Sequence, residues 1–200
     1  MKSSIKLGLL LFLTSFFINA QKIEITPQYG YQVGAKYSYR GGYIKMPSSD
    51  QFGFTISTEV SSDISAEFFW VQQNSTIRIK DILFYPRETE VTNIRVNHYQ
   101  FGAIHKFGSG KAIPFAGMSA GLSTFNPEDG FSSSTKFSFG ATGGVKYFFS
   151  DRIGFRLQAQ LLIPIEWGGV YFGTGGSGVS VGGSLVQLNF SGGLIFAFGK

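Results

Sequence analysis

Residues 23–33 read Ile23-Glu24-Ile25-Thr26-Pro27-Gln28-Tyr29-Gly30-Tyr31-Gln32-Val33, and the alternation runs on through Gly34, Ala35, Lys36, Tyr37 and Ser38. Bulky apolar residues take the odd positions, and Glu, Thr, Gln, Gly, Lys and Ser the even ones. Period two is that of a β-strand, whose successive side chains point to opposite faces. The make-up of the even face decides the fold. A soluble sandwich packs its large apolar residues inward and shows Lys, Glu and Asp to water. A face of Gly, Thr and Gln with so few charges is too lean for a solvated exterior and suits a narrow lumen. The bulky face is then left to lipid.

The same pattern recurs along the chain. A second strand sets Phe52, Phe54, Ile56, Thr58 and Val60 against Gln51, Gly53, Thr55, Ser57 and Glu59, and a third sets Ile64, Ala66, Phe68 and Trp70 against Ser65, Glu67, Phe69 and Val71. The fourth has Tyr99, Phe101, Ala103, His105 and Phe107 outside, with His98, Gln100, Gly102, Ile104 and Lys106 inside. Around Asn93 to Asn97 the parity conflicts, since Ile94 and Val96 fall in phase with the polar face, and a bulge or an extramembrane extension is expected there. Strands over Pro114–Ser123, Lys136–Phe149, Ile153–Ile163 and Val186–Phe198 complete eight. The turns Ser61–Asp63, Gly108–Lys111 and Ser150–Arg152 are three or four residues long, whereas Tyr39–Asp50, Gln73–Val91, Phe125–Thr135 and Ile165–Gly183 run from eleven to nineteen. Short and long connections alternate strictly, which puts both chain ends and every tight turn on one side, as in an outer-membrane barrel.

Composition agrees. Of 200 residues, 14% are charged and 16% aromatic, with 27 glycines; an average soluble domain carries roughly 25% charge and about 7% glycine. Aromatic content at this level excludes disorder. The absence of cysteine removes disulfides, thiolate metal sites and thiol nucleophiles. The basic residues are scattered with no run that would track a phosphate backbone, so nucleic acid is not a partner. Residues 1–20 read as a secretory signal, with Lys2 and Lys6, an apolar core from Leu7 to Ile18 and Ala20 at the cut, leaving residues 21–200 as one domain.

With these strands, the Gly-rich stretch Phe139–Gln160 around Ser150-Asp151-Arg152, and a final strand carrying Phe190, Leu194, Phe196 and Phe198, the chain resembles the small eight-stranded outer-membrane barrels of the OmpA/OmpX-like group. The resemblance implies an all-β, antiparallel up-and-down transmembrane barrel in the bacterial outer membrane with both termini periplasmic. It also implies contact with outer-membrane lipid, lipopolysaccharide and the barrel-insertion machinery. Members of the group usually end in an aromatic residue; here the end is Phe198-Gly199-Lys200. The resemblance assigns no activity.

Eight strands enclose an interior that side chains can just fill. By parity the lower lumen collects Glu24, Glu59 and Glu67 with Lys106, Lys146 and Arg156. Counting outward from the turn at Ser150–Arg152 puts Lys146 directly opposite Arg156, a like-charge pair that needs carboxylates from across the barrel. A neutralising network that plugs the lumen is expected. The two histidines are the only candidates for base chemistry near neutral pH. His105 faces lipid, opposite Pro114 by count, without a nucleophile or acid nearby. His98 faces inward, near Ser119 and Gly121 by count, and reads as a lumen hydrogen-bonder. Gly173-Thr174-Gly175-Gly176-Ser177-Gly178 spells a dinucleotide-binding pattern without the acid that should follow about twenty residues on. Asn126-Pro127-Glu128-Asp129-Gly130 is turn chemistry. No catalytic residue, cofactor or metal is expected.

The connection Gln73–Val91 differs from an ordinary loop. Ile77, Ile79, Ile82, Leu83, Phe84 and Tyr85 make it apolar among mixed charges, a candidate prolongation of strands three and four above the membrane. An exposed strand edge there can accept a strand from a surface or envelope protein. The expected role is a non-enzymatic barrel with a plugged lumen, serving envelope structure or surface interaction through its long extracellular loops. A narrow porin-like channel is the alternative, ahead of a lipid-A-modifying enzyme.

Overall fold

Ile25 lies opposite Ile56 on one side and Phe196 on the other, so the beginning of the chain sits between its second and last long strands. The computed structural model describes residues 22–83, 85–165, 170–173, 176–179 and 186–199. The strands are β1 (Ile23–Gln32), β2 (Ala35–Tyr39), β3 (Gly42–Met46), β4 (Ser49–Glu59), β5 (Ile64–Asp81), β6 (Tyr85–Lys106), β7 (Ala112–Pro127), β8 (Ser134–Phe148), β9 (Ile153–Pro164), β10 (Val170–Gly173), β11 (Gly176–Val179) and β12 (Gln187–Phe198). Eight of them, β1, β4, β5, β6, β7, β8, β9 and β12, pair antiparallel each with the next, and β12 returns to β1 to close a ring. The leader expected over residues 1–20 lies outside the described residues.

The ring is apolar outside and polar inside. Met118 is 76% exposed while Gln100, Asn189 and Ser138 are wholly buried, the reverse of what water selects. The core is therefore the lumen, where Phe69, Ile104, Phe115, Leu162 and Ile195 pack among buried glutamines, serines and charges.

The tight-turn end is wider at one point than the residue count suggests. The Phe107 amide donates to the Pro114 carbonyl at 2.8 Å, and the strands separate after this pair, so the turn encloses 108–113. The register shifts accordingly: His105 stands opposite Ala116 rather than Pro114, and His98 opposite Ser123 rather than beside Ser119 and Gly121.

At the other end the long connections are largely strand. β5 and β6, 18 and 22 residues long, continue as one hairpin past the ring. Ile94 and Val96 stay in register opposite Ser75 and Gln73, so the parity conflict marks an extension. Register shifts come later, between Ile77 and Arg78, where Val91 is the extra residue, and again between Ile79 and Asp81. The connection 39–50, read as a loop, contains β3 and the start of β4. The first strand also ends early: Val33 donates to the Leu188 carbonyl, Gly34 donates to Ser48 Oγ at 2.8 Å, and the chain leaves the ring. Beyond that point Ala35 is buried, contrary to the outward face that alternation assigned it. β2 and β3 form a hairpin whose turn uses Gly41 at φ +108°, a left-handed conformation open to glycine. β3 then pairs with β5, giving a four-stranded sheet in the order β2-β3-β5-β6 above the ring. Met46, Ile94 and Val96 are buried together at the mouth, with Ile77 and Phe125 packed against them.

Candidate functional site in the lumen

The inward positions near the tight-turn end carry the charges. Lys146 on β8 stands opposite Arg156 on β9, and both are almost completely buried. Two like charges at a directly opposed position repel, so carboxylates must reach them. Glu24 on β1 accepts from Lys146 Nζ at 2.7 Å. Glu67 on β5 accepts from both terminal nitrogens of Arg156, at 2.6 and 2.9 Å, and lies 3.7 Å from Lys146 Nζ. The Arg156–Glu67 contact is the bidentate fork that makes a guanidinium–carboxylate pair strong and directional.

Neutral groups satisfy what the charges leave over. Ser57 Oγ donates to Glu67 Oε1 at 2.7 Å, and Arg156 Nε donates to Gln158 Oε1 at 2.6 Å. Gln158 Nε2 and Ser191 Oγ both donate to Gln28 Oε1 at 3.0 Å, and Gln28 Nε2 donates to Thr55 Oγ1. The Phe115 ring lies 4.4 Å from the Arg156 guanidinium carbon and shields it. Buried ion pairs gain little net stability from charge alone. What this arrangement supplies is a fixed cross-strut that joins β1, β5, β8 and β9 through the middle of the ring.

Of the six charges that parity places in the lumen, Glu24, Glu67, Lys146 and Arg156 thus meet in one cluster. Lys106 and Glu59 form a separate pair at 2.7 Å nearer the rim, with Glu59 partly exposed. Sequence reasoning passed over Phe115, Gln158, Gln28 and Ser57 as partners. Parity puts all four on the inner face, and a phenylalanine on a polar face was the available signal.

Higher in the lumen, His98 Nδ1 lies 2.7 Å from Ser123 Oγ, which donates to Ser138 Oγ at 2.9 Å; Gln100 also reaches Ser138. A serine beside a histidine is the first requirement of a nucleophile–base pair. Both are wholly buried, and among the described residues no acid orients the other ring nitrogen. His105, on the outer face, lies 3.2 Å from the Asp63 carbonyl. The described residues contain no cluster of His, Cys, Asp and Glu able to hold a metal ion. Gly173 and Gly176 pair where β10 meets β11, so the described part of the glycine-rich motif lies within a two-stranded hairpin.

The structure divides the apolar hairpin residues. Ile77 packs inward against the mouth cluster, and Ile79 pairs with Ile44 of β3. Leu83 and Tyr85 are exposed at the tip, and Phe84 lies outside the described residues. Alongside, Tyr43 Oη donates to Glu88 at 2.7 Å, and Arg78 stands 3.5 Å from Glu88 and 3.6 Å from Glu90. The Tyr43 hydrogen bond, aided by Lys45 and Arg78, holds the Glu88 carboxyl below its usual range, and the same bond raises the Tyr43 phenol.

No protein-family model and no curated protein matches the chain. Solved structures do. The outer membrane protein OprG of Pseudomonas aeruginosa superimposes with a TM-score of 0.64 at 13% identity, covering 90% of this chain and 97% of that one. Neisserial surface protein A gives 0.55 at 12% identity over 90% and 98%, and the N-terminal β-barrel domain of Pseudomonas aeruginosa OprF gives 0.51 at 13% over 88% and 97%. At such identities the likeness concerns the backbone. The chain shares the fold of the small eight-stranded outer-membrane barrels.

Proposed function

We propose that the protein is a non-enzymatic outer-membrane barrel whose lumen is closed and whose activity lies in the sheet it raises above the membrane. The observation that carries this reading is the four-stranded extension β2-β3-β5-β6. Its outer strand, β2, pairs only with β3 among the described residues, and its tip exposes Ile82, Leu83 and Tyr85. An open edge with apolar residues beside it accepts a strand from another protein through main-chain hydrogen bonds. The partner in this reading is a surface or envelope protein that offers an extended segment. The apolar outer belt supports residence in the outer membrane, in contact with lipid and lipopolysaccharide.

The lumen favours closure over transport. The strut Glu24–Lys146–Glu67–Arg156 crosses it low down, and Met46, Ile94 and Val96 cover its mouth. Burial of His98 and Ser123 favours the non-enzymatic reading, because a nucleophile must meet its substrate.

The test shortens the hairpin. Replacing residues 77–92 by Asn-Gly joins Thr76 to Asn93, which the register already pairs, through a two-residue turn. The barrel should still fold, judged by its heat-modifiable migration on gels. Crosslinks formed in cells from a photoreactive group at Ser38 should disappear. Undiminished crosslinking from the shortened protein would remove the partner reading, and steady channels in planar bilayers would remove the closed lumen.

A further inference from the structure

The outer face between β4 and β7 is not a uniform apolar wall. Phe54, Phe68 and Trp70 form a ring cluster, with Phe54 6.0 Å from Phe68 and 5.5 Å from Trp70, and Tyr99 pairs with Trp70 across the β5–β6 seam. Directly above this floor, on the same outward parity, come Gln72, Asn97 and Arg95. Together they border one open groove of about 500 Å³. It is amphipathic along its length, aromatic toward the membrane centre and polar toward the extracellular end.

At its upper end Asn126 donates to Thr124 Oγ1 at 3.5 Å, whereas Asn97 and Arg95 have no side-chain partner among the described residues. Asn97 lies on the outward side and is largely buried, but its amide atoms open into the groove, where they make no hydrogen bond to the described residues. Arg95, exposed beside it, stands opposite Asn74 on β5 and Asn126 on β7, with no carboxylate in ion-pair contact among the described residues. An amide and a guanidinium facing a lipid boundary without protein partners are costly, so a ligand that satisfies both is bound in preference to bulk lipid. The field above has the same sign. Lys36, Lys45 and Arg78 stand side by side across β2, β3 and β5 on the outward face, and among the described residues Arg78 alone of the three is in ion-pair contact with a carboxylate, on Glu88 and Glu90.

We propose that this groove is a binding site for a phosphorylated lipid of the surrounding leaflet, its acyl chains on Phe54, Phe68 and Trp70 and its phosphate on Arg95. Arg95 offers two parallel donors to a phosphate, a match that a neutral lipid or a free hydrocarbon cannot make. Asn97 and Gln72 take the ester or sugar oxygens next to that phosphate. The inference rests on the membrane reading above and goes beyond it by naming a site and the headgroup chemistry it selects.

Trp70 lies in the groove, and the chain has one other tryptophan, Trp167, so Trp167→Phe leaves Trp70 as the sole reporter. The protein, folded in an uncharged detergent, is titrated with bis-phosphorylated lipid A, with dephosphorylated lipid A and with inorganic phosphate, following Trp70 fluorescence. Saturable binding of the phosphorylated lipid is expected. Arg95→Gln and removal of the phosphates should each weaken it about tenfold, the loss of one charge-assisted contact. Arg152→Gln, in a tight turn at the opposite end, serves as a control and should leave it within about twofold. Inorganic phosphate should not compete. Equal affinity for the two lipids, an unchanged Arg95→Gln variant, or displacement by inorganic phosphate would overturn the site. Heat-modifiable migration of every variant establishes that the barrel is folded, and a protein that folds as a monomer without detergent sinks the membrane reading instead.

Discussion

Arg156 grips Glu67 with both terminal nitrogens while standing directly opposite Lys146, so one carboxylate on β5 holds apart two cations on β8 and β9. Glu67→Gln leaves both cations buried with Glu24 alone. Breaking a buried pair on one side costs roughly 3–5 kcal/mol, and the unfolding midpoint in urea should fall accordingly. Adding Arg156→Gln should restore part of the loss, because the uncompensated charge goes with it. A double variant no better than Glu67→Gln alone would show that the strut is held by packing.

Phe115 lies opposite Gly144, and a β-carbon placed on Gly144 would come 2.7 Å from the far edge of the Phe115 ring as well as meeting the Leu157 carbonyl. Gly144→Val therefore forces the ring off Arg156. Overpacking of this kind costs about 1–3 kcal/mol, visible as a lower thermal midpoint on gels. Combining it with Phe115→Ala should be less damaging than the sum of the two changes.

Ser123 and His98 make a hydrogen bond where both side chains are buried. Ser123→Ala should cost about 1 kcal/mol of stability and leave the acyl chains of lipid A, read by mass spectrometry in a strain carrying the variant, as they are with the parent protein. A change in acylation that depends on Ser123 would revive the enzymatic alternative.

The Tyr43–Glu88 contact gives the extension a pH window. Glu88 is held below its ordinary value of 4.5, so its contribution is complete above that value and disappears as pH falls below it. Tyr43 is raised above 10.0, so its contribution is complete below that value and disappears as pH rises beyond it. Hydrogen exchange of the amides in 78–90 should accelerate at both extremes while the ring stays protected. Tyr43→Phe should bring the Glu88 titration, followed by NMR, back toward 4.5.

Alternation made the ring legible because side-chain period and barrel geometry are the same fact: Gln28, Gln100 and Asn189 went inward, and Tyr29, Phe101 and Phe190 outward, as their positions dictate. The same rule misread the mouth. There Met46, Ile94 and Val96 are apolar and inward, and they bury one another at the mouth. The turn at 108–113 was miscounted by two residues because glycine and serine carry no signal for where pairing starts, which displaced His98 and His105 in register. Which acid meets which base could not be read either. Partners across a lumen are set by the stagger of strands around the ring, a property of the whole sheet, and so Lys106 pairs with Glu59 apart from the other four.

Ile23 stands opposite Phe198, which makes the join between β1 and β12 the one pairing that unites the two extremes of the ring. Every other seam links strands that are neighbours in synthesis. The circle therefore cannot shut until the ribosome has delivered β12, and until then the first strand waits with one hydrogen-bonding edge unmatched.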